Sequence, residues 1–233
     1  MCYVESLRRL QILTSSVFKR SERSSQVTRD SRELEPLNGM SSAPAPYETR
    51  PEIFRLDSPI HRRDFQERKQ SISNAHVVDS LEEQVAELLI TRQPKLKAQP
   101  EKLASEIRRE IGSDGWDGYG VWTWYPWRET WVRLLPEAAF VEVRTNRNRN
   151  KINQEEQQEL SAKTVGIVGL SVGSALAMTL AMERICGRLK LADFDTLELS
   201  NLNRIQTGVH HLGVPKTVAV ARAIAEVDPF LEI

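Results

Sequence analysis

Residues 163–206, KTVGIVGLSVGSALAMTLAMERICGRLKLADFDTLELSNLNRIQ, decide the fold. Lys163 to Val168 is a short β-branched run that breaks at Gly169 into a turn. The turn leads to an apolar, alanine-rich stretch, Ala175 to Cys186, that predicts a helix opening near Ser174. A second run, Arg188 to Ala192, ends in Asp193. Strand, turn, helix and strand make one βαβ unit. Asp193 stands 24 positions after Gly169, close to the roughly 20 residues that separate a phosphate-binding turn from a ribose-binding carboxylate.

The chemistry expected of such a unit is nucleotide binding. A helix N-terminus turns unpaired backbone N–H groups and a positive dipole end toward a phosphate. Gly169 and Gly173 let the backbone approach without a Cβ in the way, and the hydroxyls of Ser171 and Ser174 add donors. Asp193 would accept from ribose hydroxyls. GLSVGS carries two glycines and does not complete G-x-G-x-x-G, so the turn alone also suits a doubly wound protein that uses glycine for packing.

The next loop narrows the reading. DFDTLELSNLNR, Asp193 to Arg204, followed twelve residues later by Lys216 in GVPK, resembles the adenylation domain shared by ThiF, MoeB, HesA and the ubiquitin-activating enzymes. The resemblance implies an α/β, Rossmann-like adenylation fold of the ThiF (NAD/FAD-binding) type with ATP as cofactor. It puts Asp193 on the ATP ribose, Asn201 and Arg204 along the phosphates and Lys216 on the phosphate chain; Asp195 and Asn203 of the same loop join the nucleotide-binding set. Forming an acyl-adenylate drives a weakly nucleophilic carboxylate into the α-phosphate, and Arg204 and Lys216 would offset the charge that develops. The plain alternative for both is a solvated loop cation. Ser171, Val172 and Ser174 stand where the family often has glycine.

Upstream, RTNRNRNKI (Arg144–Ile152) resembles the family's R-Y-x-R-Q-I element, with Arg144 and Arg147 on its two arginines. The second arginine reaches the partner subunit's phosphates in the family, so Arg147 is a catalytic candidate in trans and a homodimer is implied. Thr145 and Asn148 replace the aromatic and the glutamine, which leaves Arg149 open as an alternative register; a solvated basic strip or a small nucleic-acid patch is the other reading. The family's Mg²⁺-binding aspartate, thioester cysteine and Cys-x-x-Cys zinc pairs all come later than Ile233, so no metal ligand is assigned and the domain is expected to be incomplete at its C-terminus. The implied reaction is adenylylation of a carboxylate, that of a ubiquitin-like or sulfur-carrier protein or a related tRNA-linked one. A Trp-rich front piece beside this turn also resembles bacterial ThiF-like proteins that carry a nitroreductase-like domain further on. Two rivals stay open: an inactive nucleotide-binding or interaction module, and an NAD-dependent oxidoreductase.

With 32 basic and 32 acidic residues among 233, the zero net charge argues against nonspecific nucleic-acid or membrane binding by the whole chain. Cys2 and Cys186 offer no disulfide framework and fit a reducing, cytoplasmic setting, with Cys186 as a packed thiol. No run reaches about 18 apolar residues, the length of a spanning helix. The histidines show no ligand spacing; His210–His211 would border the nucleotide or sit in a solvent-facing loop.

Residues 1–50 read as a disordered segment or linker, with an organelle-targeting helix in 1–32 and an internal start at Met40 as alternatives. Residues 51–143 read as a small α+β accessory region, and residues 144–233 as the N-terminal part of the adenylation domain. Ser80-x-x-Glu83 suggests a capping box ahead of an apolar face of Leu81, Val85, Leu88 and Leu89. Leu103, Ile107 and Ile111 predict a second helix stopped by Gly112. All five tryptophans fall between Trp116 and Trp131. They read as an aromatic platform for a base, flavin or peptide, or as packing. In the packing version Trp131–Leu135 and Phe140–Val143 are strands that bury the rings against the adenylation domain.

Overall fold

The computed structural model describes residues 47–233. The expectations for a targeting helix, for Met40 and for most of the linker lie outside those residues. In chain order come β1 (Glu52–Arg55), α1 (Pro59–Gln70), β2 (His76–Asp79), α2 (Leu81–Arg92), α3 (Pro100–Ile111), α4 (Gly115–Gly118), β3 (Val121–Tyr125) and β4 (Thr130–Leu134). The four strands form one mixed sheet, ordered β1-β3-β4-β2, with β2 parallel to β4 and the other pairs antiparallel.

Strand alternation puts Trp122 and Trp124 of β3 on the same face as Trp131 of β4. Phe65 of α1 covers them, stacked on Trp122 at 5.3 Å and edge-on to Trp131 at 5.3 Å. These three tryptophans therefore pack against α1 and Phe54, Trp116 packs beside the α2 cluster, and only Trp127 reaches the nucleotide-binding half, donating to Glu226. Leu81, Val85, Leu88 and Leu89 are buried along α2, as their spacing predicts. The capping box does not form: Ser80 makes no side-chain cap, and Asp79 Oδ1 accepts from Leu81 N at 3.3 Å. Helix α3 stops at Gly112, whose φ of 70° suits glycine.

Phe140–Val143 is helical, within α5 (Glu137–Thr145), which corrects the strand expectation. After α6 (Gln154–Ser161), the predicted βαβ unit follows as β5 (Thr164–Val168), α7 (Leu170–Glu183) and β6 (Arg188–Ala192). The strands run parallel, from Thr164 beside Arg188 to Val168 beside Ala192. Helix α7 opens at Leu170, four residues before the expected start, and closes before Cys186. α8 (Lys216–Val227) then returns the chain, and Leu189 N donates to Glu232 O at 2.8 Å, so the last residues lie parallel to β6 on its far side from β5. This α/β arrangement with a parallel strand pair and a crossover helix is Rossmann-like.

The core between α7, α8 and the strands holds Ile167, Leu170, Ala177, Leu180, Leu189, Val220, Ile224 and Leu231. Leu170, Leu189 and Ile224 have no exposed surface, and each contributes roughly 1.5–3 kcal/mol by burial. Cys186 is fully buried in this core, which pushes its thiol pKa up and makes it a packing group.

Candidate functional site

The carboxyl ends of β5 and β6 lead into two turns that meet. Gly169 adopts φ 85°, a conformation that favours glycine, and so swings the chain from β5 into α7. A Cβ on Gly173 would stand 2.8 Å from Ile167 Cγ2, so that glycine lets the helix lie close on the strand. Of the two serines, Ser171 lies in the first turn of α7, while Ser174 is buried one turn on, its hydroxyl donating to Ser171 O at 3.3 Å.

Asp193 ties the two turns together. Its Oδ2 accepts from Leu170 N, the first amide of α7, at 2.6 Å, and its Oδ1 accepts from Asp195 N at 2.8 Å. Partial burial opposes ionisation, but the amides of Leu170, Asp195 and Phe194 and the charge of Lys216 outweigh it and hold this carboxyl below the usual aspartate range. An ionised Asp193 can still accept from hydroxyls of a bound sugar, because each oxygen has a second lone pair.

The loop after Asp193 folds on itself. Asn201 is 5% exposed and its Oδ1 accepts from Glu198 N at 3.1 Å, so this side chain shapes the turn. Arg204 is exposed, with Nη1 donating to Asn203 Oδ1 at 2.8 Å and to Ser200 O at 3.3 Å. Asn203 thus touches Arg204. Lys216 opens α8, and its Nζ donates to Asp195 Oδ2 at 2.7 Å. A small cavity of about 60 Å³ between α7 and α8 includes Ser174, Met178, Arg204 and Thr207 in its walls. His211 Nδ1 lies 2.7 Å from Thr207 Oγ1, in the loop joining Arg204 to Lys216.

Arg147 is not at this edge. It is exposed in the 3-10 turn Asn146–Asn150, next to the opposite end of α7. There Asn148 Nδ2 donates to Glu183 O at 2.8 Å and Lys151 Nζ to Glu183 Oε1 at 3.0 Å. The 14 residues of α7 separate that end from Gly169 by about 20 Å at 1.5 Å per residue, so within one chain Arg147 does not meet the turn. Arg144 points inward: its Nη1 donates to Asp228 Oδ2 at 2.7 Å and its Nη2 to Met182 O at 3.2 Å. Asp228 is 1% exposed and also receives Arg184. Sequence reasoning missed both this cluster and the Asp195–Lys216 pair.

A larger cavity, about 790 Å³, lies at that far end of α7, beside Arg149, Asn153, Gln157 and Arg184. Its size is no guide to the chemistry, because Asp193, Arg204 and Lys216 are all absent from its walls. Among the described residues no group of three or more His, Cys, Asp or Glu is placed to hold a metal ion. No helix among them is long and apolar enough to cross a membrane.

The uncharacterized protein MT1398 of Mycobacterium tuberculosis is 53% identical over 112 residues, which cover 48% of this chain and 16% of that protein. Ubiquitin-like modifier-activating enzyme 5 of Arabidopsis thaliana is 43% identical over 77 residues, 33% of this chain and 17% of the enzyme. The chain thus matches less than a fifth of the length of these relatives. A solved structure of the E. coli tRNA N6-threonylcarbamoyladenosine dehydratase TcdA in complex with ATP is 25% identical, with a TM-score of 0.37, over 39% of this chain and 38% of that one. A model of the ThiF family matches residues 145–233. Over those residues, fewer than half of the chain, the protein is similar to the ThiF family.

Proposed function

We propose that residues 144–233 bind ATP across the carboxyl ends of β5 and β6, and that the protein takes part in ATP-dependent adenylylation of a carboxylate. Residues 51–143 serve it as an accessory region. The observation that carries the reading is Asp193, ionised and held between the first amide of α7 and the arm that leads to Lys216. Asp193 accepts from the ribose hydroxyls. The phosphates lie toward the first turn of α7, where Ser171 and backbone amides donate. Gly169 and Gly173 shape the approach. Asn201 and Asn203 act by holding the loop that carries Arg204, and Ser174 by packing.

In the reaction, a carboxylate oxygen bonds to the α-phosphorus while the bond from that phosphorus to the bridging oxygen of pyrophosphate breaks. The electron pair leaves with pyrophosphate. Arg204 and Lys216 offset the charge on the α-phosphate and the leaving group. Arg204 reaches it by exchanging Asn203 and Ser200 for phosphate oxygens. Arg147 acts from a second copy in a homodimer, since about 20 Å of helix keeps it from its own chain's turn. ATP supplies the activating phosphoryl chemistry; the chain's residues bind, orient and neutralise. The carboxylate is the C-terminus of a ubiquitin-like or sulfur-carrier protein, in keeping with the name of the Arabidopsis relative.

Exchange of labelled pyrophosphate into ATP tests this, in the presence of Mg²⁺. Label is expected to enter only when a carrier with a free C-terminal carboxylate is added, and Arg204→Ala is expected to stop it. Exchange without a carboxylate, exchange unchanged in Arg204→Ala, or none with either carrier class overturns the assignment.

A further inference from the structure

Lys216 carries its charge on a side chain that is only 4% exposed. A buried ammonium needs an anion at hydrogen-bond distance, and Asp195 is the one acceptor that Nζ meets among the described residues, at 2.7 Å. The backbone grips the same residue, because Lys216 N donates to Asp195 O at 3.0 Å. The arm behind Asp195 is fixed in turn. Asp195 N donates to Asp193 Oδ1, Leu197 N donates to Val214 O at 2.8 Å, and Thr196 bridges Pro215 in antiparallel fashion. A continuous chain of bonds thus runs from the first amide of α7, through Asp193 and Asp195, to the first residue of α8.

We infer that Asp195 is a positioning residue, which holds the Lys216 ammonium at the nucleotide edge and does not itself touch the nucleotide. The inference rests on the ATP reading above. Charge supports it: a free carboxylate facing a triphosphate repels it, whereas this one is spent on Lys216. An ammonium has three protons to donate. Asp195 takes one and sets the direction of the other two. The side chain of Asp195 is 51% exposed, so its outer lone pairs stay in water and do not force a second buried partner.

Binding of ATP and of adenosine to the full chain separates this from a direct contact. Asp195→Asn, Lys216→Met and the double variant are compared with wild type by calorimetry, with a thermal melt of each. Each single variant is expected to bind ATP about tenfold more weakly, the loss of one charge-assisted hydrogen bond, while adenosine changes by less than about twofold. The double variant is expected to bind ATP no more weakly than Lys216→Met does, since Asp195 has nothing left to position and its freed carboxylate can only repel the triphosphate. Should Asp195→Asn fail to fold, the double variant, which buries no unpaired charge, still carries the comparison with Lys216→Met. A double variant clearly weaker than Lys216→Met means that Asp195 touches the ligand and overturns the inference. So does an equal loss for ATP and adenosine, or unchanged ATP binding in Asp195→Asn. A wild-type protein that does not bind ATP overturns the nucleotide reading itself, which is a different result.

Discussion

Asp228→Asn is expected to destabilise the protein severely without touching the nucleotide edge. Asp228 is 1% exposed and follows α8. Its Oδ2 receives Arg144 at 2.7 Å and Arg184, and its Oδ1 receives Phe230 N at 3.0 Å. Asparagine keeps the shape and an acceptor for Phe230 but removes the charge, and it leaves two guanidinium groups whose side chains are 20% and 11% exposed. Breaking a buried pair from one side costs about 3–5 kcal/mol. The lower end applies, because Arg144 keeps the carbonyls of Ala181 and Met182. For a chain of this size each kcal/mol moves the melting temperature by about 2–4 °C, so the melt should fall by about 6–12 °C. Circular dichroism against temperature, with a urea titration beside it, reads the change. Arg144→Met should lose less, since Arg184 still meets the carboxylate. A shift below about 2 °C for Asp228→Asn would refute the claim that these charges anchor α5 to the ends of α7 and α8.

Three further outcomes are expected. Gly187→Ala should unfold or strongly destabilise the protein, because its Cβ would lie 1.9 Å from Ser161 O, whereas Gly166→Ala meets nothing within 4 Å and should melt near wild type; similar melts for the two contradict the packing of β6 on the link before β5. His211 has its pKa lowered chiefly by burial and then by His210, Arg128 and Arg222, with Glu226 opposing. Its folded form takes a proton less readily than the unfolded chain, so stability is complete above the ordinary value of about 6.5 and declines as pH falls below it; His211→Gln should flatten that part of a melting-temperature profile, and an unaltered slope would contradict the assignment. Glu226 binds Trp127 Nε1 at 2.6 Å and Arg128 Nε at 2.8 Å, so Glu226→Gln should cost about 1–2 kcal/mol in a urea titration, and no change would mean the β3–β4 turn is not clamped to α8.

What the sequence disclosed follows from local physics. The β-branched run, the glycine turn and the alanine-rich stretch before Arg188 each act within a few residues, and β5, α7 and β6 appear where they point. Helix α8 spans Lys216–Val227, bounded by Pro215 before it and Asp228-Pro229 after it. Helix α7 starts at Leu170, ahead of Ser174, where its first amide donates to Asp193, 23 residues away. Phe140–Val143 has the residues of a strand, yet packing of Ala139 and Phe140 beside the α2 cluster makes it helical, so tertiary contact overrides propensity. Asp195–Lys216 and Arg144–Asp228 join residues 21 and 84 positions apart. No spacing rule reaches such pairs. The loop residues point to the neighbourhood of the candidate site, but only the folded structure separates Asp193, which joins the two turns, from Asn201, which folds its own turn.

Titration of the protein with ATP and with NAD, for wild type and Asp193→Asn, tests the central claim most directly. ATP is expected to bind at least tenfold more tightly than NAD, and Asp193→Asn is expected to remove most of that affinity. Tighter binding of NAD, or ATP binding unchanged in Asp193→Asn, would contradict it.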